Sequence, residues 1–289
     1  MLKHFKPKIR SRHPSHNILR KEGIFPLFPF KSVIRLGSTT VLGDTISEGG
    51  NRVEINEIDA IKNSSNKLLM KQCFTNEKVK TADWWIYGGP WDQSHAFMPN
   101  GVTNERPDKL SELPFPIISK HIHGSRNKGN KKHDTIEQLM AWLSTKDSLD
   151  NYIFEKFYNF VREYRIHVTE NGYFYTCRKM LKSNTPQKDK WYRNDEHCVW
   201  VMEENEIFDK PTSWKMIVNH SIKALKSVGL DFGAVDIKVQ SATTSKGKKR
   251  KKIDFIIIEI NSAPSFGVIT ATKYINMLSH LILNKFNKK

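Results

Sequence analysis

Cysteine is scarce: Cys73, Cys177 and Cys198 are the only three in 289 residues, widely spaced and odd in number. That excludes a disulfide framework and any CxxC pair, and makes a reducing, cytoplasmic setting the default expectation. No apolar run approaches the ~20 residues that span a bilayer, so no membrane segment is expected. The opening stretch, MLKHFKPKIRSRHPSHNILRK, is basic but lacks the apolar core and small-residue cleavage site of a secretory signal. Acidic residues are outnumbered, 30 against 47 Lys and Arg, for a net charge of +17. Such a surplus fits polyanionic partners, nucleic acid or phosphates, and equally a basic solvated surface. Also missing are a Gly-x-x-x-x-Gly-Lys-[Ser/Thr] loop and the glycine-loop, His-Arg-Asp and Asp-Phe-Gly set of the kinases. One Asp-Phe-Gly does occur, at 231–233, but it directly follows a helix stop and has no companions.

What is present is a globular composition, with 38% hydrophobic residues, seven Trp and sixteen Phe. Residues 1–30, dotted with Pro and His, are expected to be loosely ordered at their start. KSVIRLG reads as a strand, and Ile58, Ile61, Leu68, Leu69 and Cys73 recur at helical intervals around a break at Asn63–Asn66. Segments 82–110 and 182–210 read as loop. PFPIISKHIHG, NYIFEKF, GAVDIKVQ and KIDFIIIEI read as strands, and HDTIEQLMAWL as a short amphipathic helix. A longer helix runs from Thr212 or Ser213 to a stop at Gly229. The basic run KGKKRKK, 246–252, falls between two strands and reads as a solvated loop tip. Mixed helices and hairpins make an α+β protein with largely antiparallel sheets.

Two hairpins carry chemistry. EYRIHVTENGYFYTCRKML turns at Asn171-Gly172, and a two-residue turn there pairs Glu170 with Tyr173 and sets Arg165 opposite Arg178. Like charges directly opposite destabilise a sheet unless an anion lies between them or both reach out into water. In the second hairpin, Asp236 falls opposite Glu259 or one pair away. Glu259 interrupts an Ile run, and Asn261 points the same way. Two such carboxylates need a cation, either Lys or Arg partners or an oxygen-seeking ion such as Mg²⁺.

In this order, from about Asn56 to Phe266, these segments resemble the ATP-grasp superfamily, carboxylate–amine ligase type. The resemblance implies an ATP-grasp fold: two α+β subdomains whose antiparallel sheets clasp ATP. It divides the chain into a reduced N-terminal segment (1–55), an opening helix with the lid subdomain (56–155), and a metal- and substrate-binding subdomain (156–289). NSSNKLL is similar to the family's opening segment, which makes Lys67 a nucleotide-side lysine. PFPIISKHIHGSRNKGN is similar to the lid strand and its glycine loop, with Lys120 on the α/β-phosphates and Gly124 and Ser125 in the loop. That loop lacks the tighter Gly-x-Gly of many relatives. YIFEKF resembles the hinge strand, with Glu155 facing the adenine amine and the backbone of Lys156 and Phe157 on the ring. Glu163 then takes the ribose hydroxyls, Arg165 and Arg178 the phosphates, and Asp236, Glu259 and Asn261 the metal.

The implied reaction needs ATP and Mg²⁺, with Mn²⁺ as the substitute ion. A substrate carboxylate attacks the γ-phosphate to give an acylphosphate and ADP, and an amine acceptor then displaces phosphate to form an amide. Lys120, Arg165 and Arg178 are the expected catalytic charges. Arg35, at the exit of the first strand, is a candidate for a substrate carboxylate or a plain strand end. Two other readings stand beside this one: a small-molecule kinase on the same fold, and a basic nucleic-acid-binding protein with a degenerate nucleotide site. The intact set of site residues disfavours the last.

Overall fold

The computed structural model describes residues 3–41, 52–87, 97–99, 112–124, 129–194, 196–265 and 267–288. Three sheets organise it. The first is parallel, with β1 (Lys8–Arg10), β2 (Ser32–Arg35) and β3 (Val53–Ile55) in that order. Contrary to the expectation of loose order, the N-terminal residues form this sheet and a 3₁₀ turn over Pro14–Arg20. Phe25, Phe28, Phe30 and Leu19 bury themselves there against the C-terminal helix.

Next come α1 (Ile58–Ser65) and α2 (Lys67–Asn76). Asn66 separates them: its side-chain oxygen accepts from the amides of Leu68 and Leu69, capping α2 and putting Lys67 at its first position. The second sheet, which the resemblance reads as the lid, is antiparallel, in the order β5 (Phe97–Pro99), β4 (Trp84–Tyr87), β8 (Tyr152–Lys156), β6 (Ile117–His121) and β7 (Lys131–His133). Strands β4 and β5 occupy part of the segment read as loop. Its Trp content fits this, since Trp84 and Trp85 are buried. Helix α3 (Ile136–Leu143) closes one face of the lid through Leu139 and Leu143.

The large sheet runs β11 (Cys198–Met202), β10 (Gly172–Leu181), β9 (Arg162–Thr169), β12 (Phe232–Val239), β13 (Phe255–Asn261), antiparallel throughout. Strand β11 sits in the second segment expected to be loop. One face is apolar: Tyr164, Ile166, Val168, Val235, Ile237 and Ile257 pack on α1, α2 and α4 (Trp214–Val228). Gly229, at φ 81°, ends α4 in the left-handed region that favours glycine. Helix α5 (Val268–Asn287), an element the sequence reading passed over, covers one end of the other face with Tyr274. Among the described residues no helix is long and apolar enough to cross a membrane. All three cysteines are free.

Two bulges decide what the large sheet presents. In β13 an irregularity between the Asp236/Glu259 and Ile237/Ile257 pairs leaves Ile258 as an extra residue. Phe255 and Ile257 face the apolar core, and without the bulge Glu259 would follow them into it. The extra residue flips the parity, so Glu259 and Asn261 join Asp236 on the open face. The second irregularity lies between Tyr173 and Tyr175 of β10. The hairpin closes on Thr169 and Gly172, with Glu170 and Asn171 in the turn, and Phe174 is then bulged. Arg165 consequently pairs with Cys177, and Arg178 with Tyr164. This corrects the expectation of two opposed arginines.

Candidate active site

A cavity of about 640 Å³ lies between the lid and the open face of the large sheet. That face carries its polar groups in cross-strand rows. One row runs Lys179, Glu163, Lys238 across β10, β9 and β12; the next runs Cys177, Arg165, Asp236, Glu259 and on into β13.

In the second row Arg165 grips Asp236 with two parallel hydrogen bonds, Nε to Oδ1 at 2.7 Å and Nη2 to Oδ2 at 2.7 Å. Burial on its own would lift the Asp236 pKa, but Arg165, with Lys179, holds it below the ordinary carboxylate range. Burial likewise opposes the charge on Arg165, and the adjacent carboxylate more than restores it. Glu259 lies directly opposite Asp236, and among the described residues no Lys or Arg comes within ion-pair distance of it. The Asn261 amide nitrogen is 3.4 Å from both Glu259 Oε1 and Asp236 Oδ2. Turning that amide over would aim its oxygen at the same point.

Two carboxylates and an amide, all oxygen donors on rigid strands, fit a hard cation such as Mg²⁺ or Mn²⁺ rather than a thiolate- or imidazole-seeking ion. Among the described residues no group of three or more His, Cys, Asp or Glu side chains is arranged to hold a metal. Further ligands at this trio would therefore have to come from phosphate oxygens and water.

In the first row Lys179 Nζ is 3.2 Å from Glu163 Oε1. Burial lowers the Lys179 pKa, and Asp236 and Glu163 together raise it by more. Trp200 of β11 lies 4.9 Å from both the Lys179 ammonium and the Arg165 guanidinium, holding the two cations over one ring. Lys238 has its ammonium 3.3 Å from the Trp191 carbonyl and 5.1 Å from the Phe157 ring. Burial pushes its pKa down to about 8.

From the lid, Lys120 reaches the cavity, as does Lys67 from the first turn of α2. The Lys67 ammonium donates to the carbonyl of Gly124, tying α2 to the glycine loop. Burial lowers its pKa against the pull of Glu259. Ser125 lies outside the described residues. In the backbone expected to meet the ring, the amide of Lys156 donates to Asp83 O at 2.9 Å and that of Phe157 to Pro116 O at 2.9 Å. Glu155 is 4% exposed and faces two lysines instead of the cavity.

Arg178 is the residue furthest from its expected place. The shifted register turns it to the apolar face, where it pairs with Asp209 and lies over Tyr164. Arg35, too, is fully enclosed, held by Glu54 and the Thr40 carbonyl.

Lys71, Lys179, Lys238 and Trp200 were missed. Lys71 follows Lys67 by one helical turn, a signal visible in the sequence. Lys179 could be found only by knowing the bulge.

At the far end of the cavity, the loop Ser262–Ser265 leads from Asn261 and lines the wall. The N-terminal sheet holds it. His16 Nε2 is 2.9 Å from the Pro264 carbonyl, and the other ring nitrogen meets the Ser11 hydroxyl. Burial lowers the His16 pKa, and neutral imidazole fits this arrangement, donating to the carbonyl and accepting from the serine. Gly37, at φ 70°, lies so close that a Cβ there would sit 2.8 Å from the Ala263 Cβ.

No family model and no curated protein matches the chain by sequence. Solved structures do match in three dimensions. D-alanine–D-alanine ligase from Bacillus anthracis, complexed with ATP, aligns at a TM-score of 0.57 over 89% of this chain and 80% of its own, with 15% identity. The fold is ATP-grasp. The biotin carboxylase–ATP-analogue complex from Campylobacter jejuni aligns at 0.57 with 14% identity, over 88% of this chain and 54% of that one. Carboxyaminoimidazole ribonucleotide synthase from Aspergillus clavatus, complexed with ATP, aligns at 0.51 with 15% identity, over 80% and 53%. At these identities the likeness is one of architecture alone.

Proposed function

We propose that the chain is an ATP-dependent carboxylate–amine ligase, working through an acylphosphate and releasing ADP and phosphate. The observation that carries this reading is the convergence of Asp236, Glu259 and Asn261 beside Arg165 and Lys179, beneath Lys120 of the lid. A trio of oxygen donors for a cation and a set of ammonium and guanidinium groups for phosphate oxygens belong together when the substrate is a metal-bound triphosphate.

Under this reading Lys67 and Lys120 hold the nucleotide phosphates, and Glu163 the ribose. Lys179 takes the position that the sequence assigned to Arg178. Mg²⁺, or Mn²⁺ in its place, would be held by Asp236, Glu259 and Asn261, and when bound would neutralise charge on the triphosphate. The reacting carboxylate approaches along Ser262–Ser265, and its oxygen attacks the γ-phosphorus as the bond to ADP breaks. The amine then attacks the acyl carbon, loses a proton and expels phosphate, leaving an amide. Arg165 and Lys179 stabilise the charge on the transferring group, and closure of the lid keeps water from the acylphosphate. The division 1–55, 56–155 and 156–289, and a cytoplasmic setting for three free cysteines, go with this assignment.

The test is incubation of the full chain with Mg-ATP and a pool of amino acids and short peptides, followed by nucleotide analysis and mass spectrometry. ADP, phosphate and a new product lighter by one water than its two precursors together are expected. ADP with a stable phosphorylated product would make it a kinase. A chain that neither binds nor turns over ATP, yet retards nucleic acid in a salt-dependent manner, would overturn the reading.

A further inference from the structure

Glu155 is on the hinge strand, the position from which a carboxylate would read the amino group of adenine. Its surroundings assign it to something else. Oε2 accepts from the Lys120 ammonium at 2.8 Å, and Oε1 lies 3.4 Å from the ammonium of Lys71. Each oxygen thus has a lysine partner, and the side chain does not line the cavity, whereas Lys120 does. Lys71 is fully buried, donates to the Thr81 hydroxyl and has no exposed surface at all. Thr81 in turn donates to the Ile257 carbonyl of β13.

The geometry points to Glu155 as a positioning residue that aims Lys120 at the nucleotide phosphates, with Lys71 as its counterweight. A buried ammonium is costly unless compensated, and two of them near one another repel. One carboxylate between two lysines leaves the trio at net +1. Lys120 has three N–H bonds, and only one is directed at Glu155. The others remain for anionic oxygens in the cleft. The pairing also crosses from the lid, through β6 and β8, to α2 and the large sheet, so the aim of Lys120 is set relative to the metal trio as well as to its own strand.

Burial alone would raise the Glu155 pKa, and the two lysines outweigh it and keep the carboxylate ionised. Burial brings Lys71 down to about 8, with Glu155 supporting its charge. These directions agree with the contacts.

The inference rests on the nucleotide-binding reading, and its test separates the two. Affinities of the full chain for ATP, ITP and adenosine are measured by calorimetry for wild type and Glu155→Gln. ITP keeps the triphosphate but carries an oxygen where adenine has its amine. A positioning role weakens ATP and ITP by the same factor, about tenfold or more, the scale of one charge-assisted hydrogen bond, and leaves adenosine unmoved. A loss confined to ATP makes Glu155 a base reader and overturns the inference, as does unchanged or tighter binding of both triphosphates. Lys71→Met, which takes the trio from +1 to neutral, is expected to show the same equal loss, and serves if the Gln variant fails to fold. Unchanged binding in Lys71→Met overturns the inference too. Wild type that binds no ATP defeats the nucleotide reading itself.

Discussion

Glu259→Gln isolates the proposed cation donors from everything else in the cleft. The substitution preserves shape, and no Lys or Arg among the described residues stands within ion-pair distance of this carboxylate. Removing its charge therefore orphans nothing, unlike the loss of Asp236, which would strand Arg165. The metal-free protein is expected to keep its stability to within ~1 kcal/mol, the usual range for a substitution that breaks no buried pair. The cation response should differ sharply. A ligand that binds only the folded state at a hundred times its dissociation constant adds ~2.7 kcal/mol. For a domain of this size that corresponds to a rise of about 5 °C in melting temperature. The assay is thermal unfolding followed by tryptophan fluorescence, with a non-hydrolysable ATP analogue fixed and Mg²⁺ titrated against a chelator baseline. Wild type should gain the full increment, and Glu259→Gln at most a small part of it. An equal Mg²⁺ increment in both proteins would refute the assignment of Glu259 to the cation, whatever the variant does to turnover.

Lys179→Met should raise the nucleotide dissociation constant about tenfold, since it removes a charge-assisted contact, while Arg178→Met should leave it unchanged; the reverse result would restore the opposed-arginine hairpin. Acidification should destabilise the fold from about pH 6.5 downwards. Burial pushes His167 from 6.5 to about 3 and His133 to about 4, so the unfolded chain takes up protons that the folded chain refuses. The stabilisation is complete above 6.5 and is lost progressively as pH falls towards the folded values. At ~1.4 kcal/mol per tenfold change in proton affinity, His167 alone accounts for roughly 5 kcal/mol over its whole shift, of which about 3 kcal/mol is lost by pH 4. Denaturant melts between pH 7 and pH 4 test this, and a flat profile would contradict the burial argument.

Much of this arrangement was legible in the sequence, and what was not has a common cause. Alternation and turn chemistry located β9, β10, β12 and β13, Gly229 marked the end of α4, and Asn66 the start of α2. The order of those pieces pointed to ATP-grasp, and hairpin arithmetic set Asp236 opposite Glu259 or one pair away. That arithmetic counts in steps of two and fails where a strand carries an extra residue. Ile258 and Phe174 are such residues, and neither is a Gly or Pro that would advertise a bulge. At Ile258 the bulge lies between the loop and the counted pair, and the expectation survived because it allowed for a shift of one pair. At Phe174 it lies between the turn and Arg178, and the side chain moved to the other face. Glu155 illustrates a different limit. Its strand was read correctly, but its partner Lys71 lies on a helix 84 residues earlier, and only the fold brings them together.

The N-terminal segment acquires its meaning from the same reasoning. As sequence it is short and broken by Pro and His, and a remnant of a larger unit was the natural expectation. In three dimensions it supplies two constraints on one loop: the His16 hydrogen bond to the Pro264 carbonyl, and the glycine at 37 that lets Ala263 come within contact. That loop begins at Asn261, the last of the three proposed cation donors, so it is covalently continuous with them. With His16 as the neutral imidazole that burial favours, its grip depends on Ser11 donating to one ring nitrogen while the other donates to Pro264. The buried polar chain is satisfied only when β1, the 3₁₀ turn and the loop are all in place. The N-terminal unit therefore borders the cavity: its 3₁₀ turn and the turn after β2 hold the wall past which, in the proposed reaction, the carboxylate substrate must come.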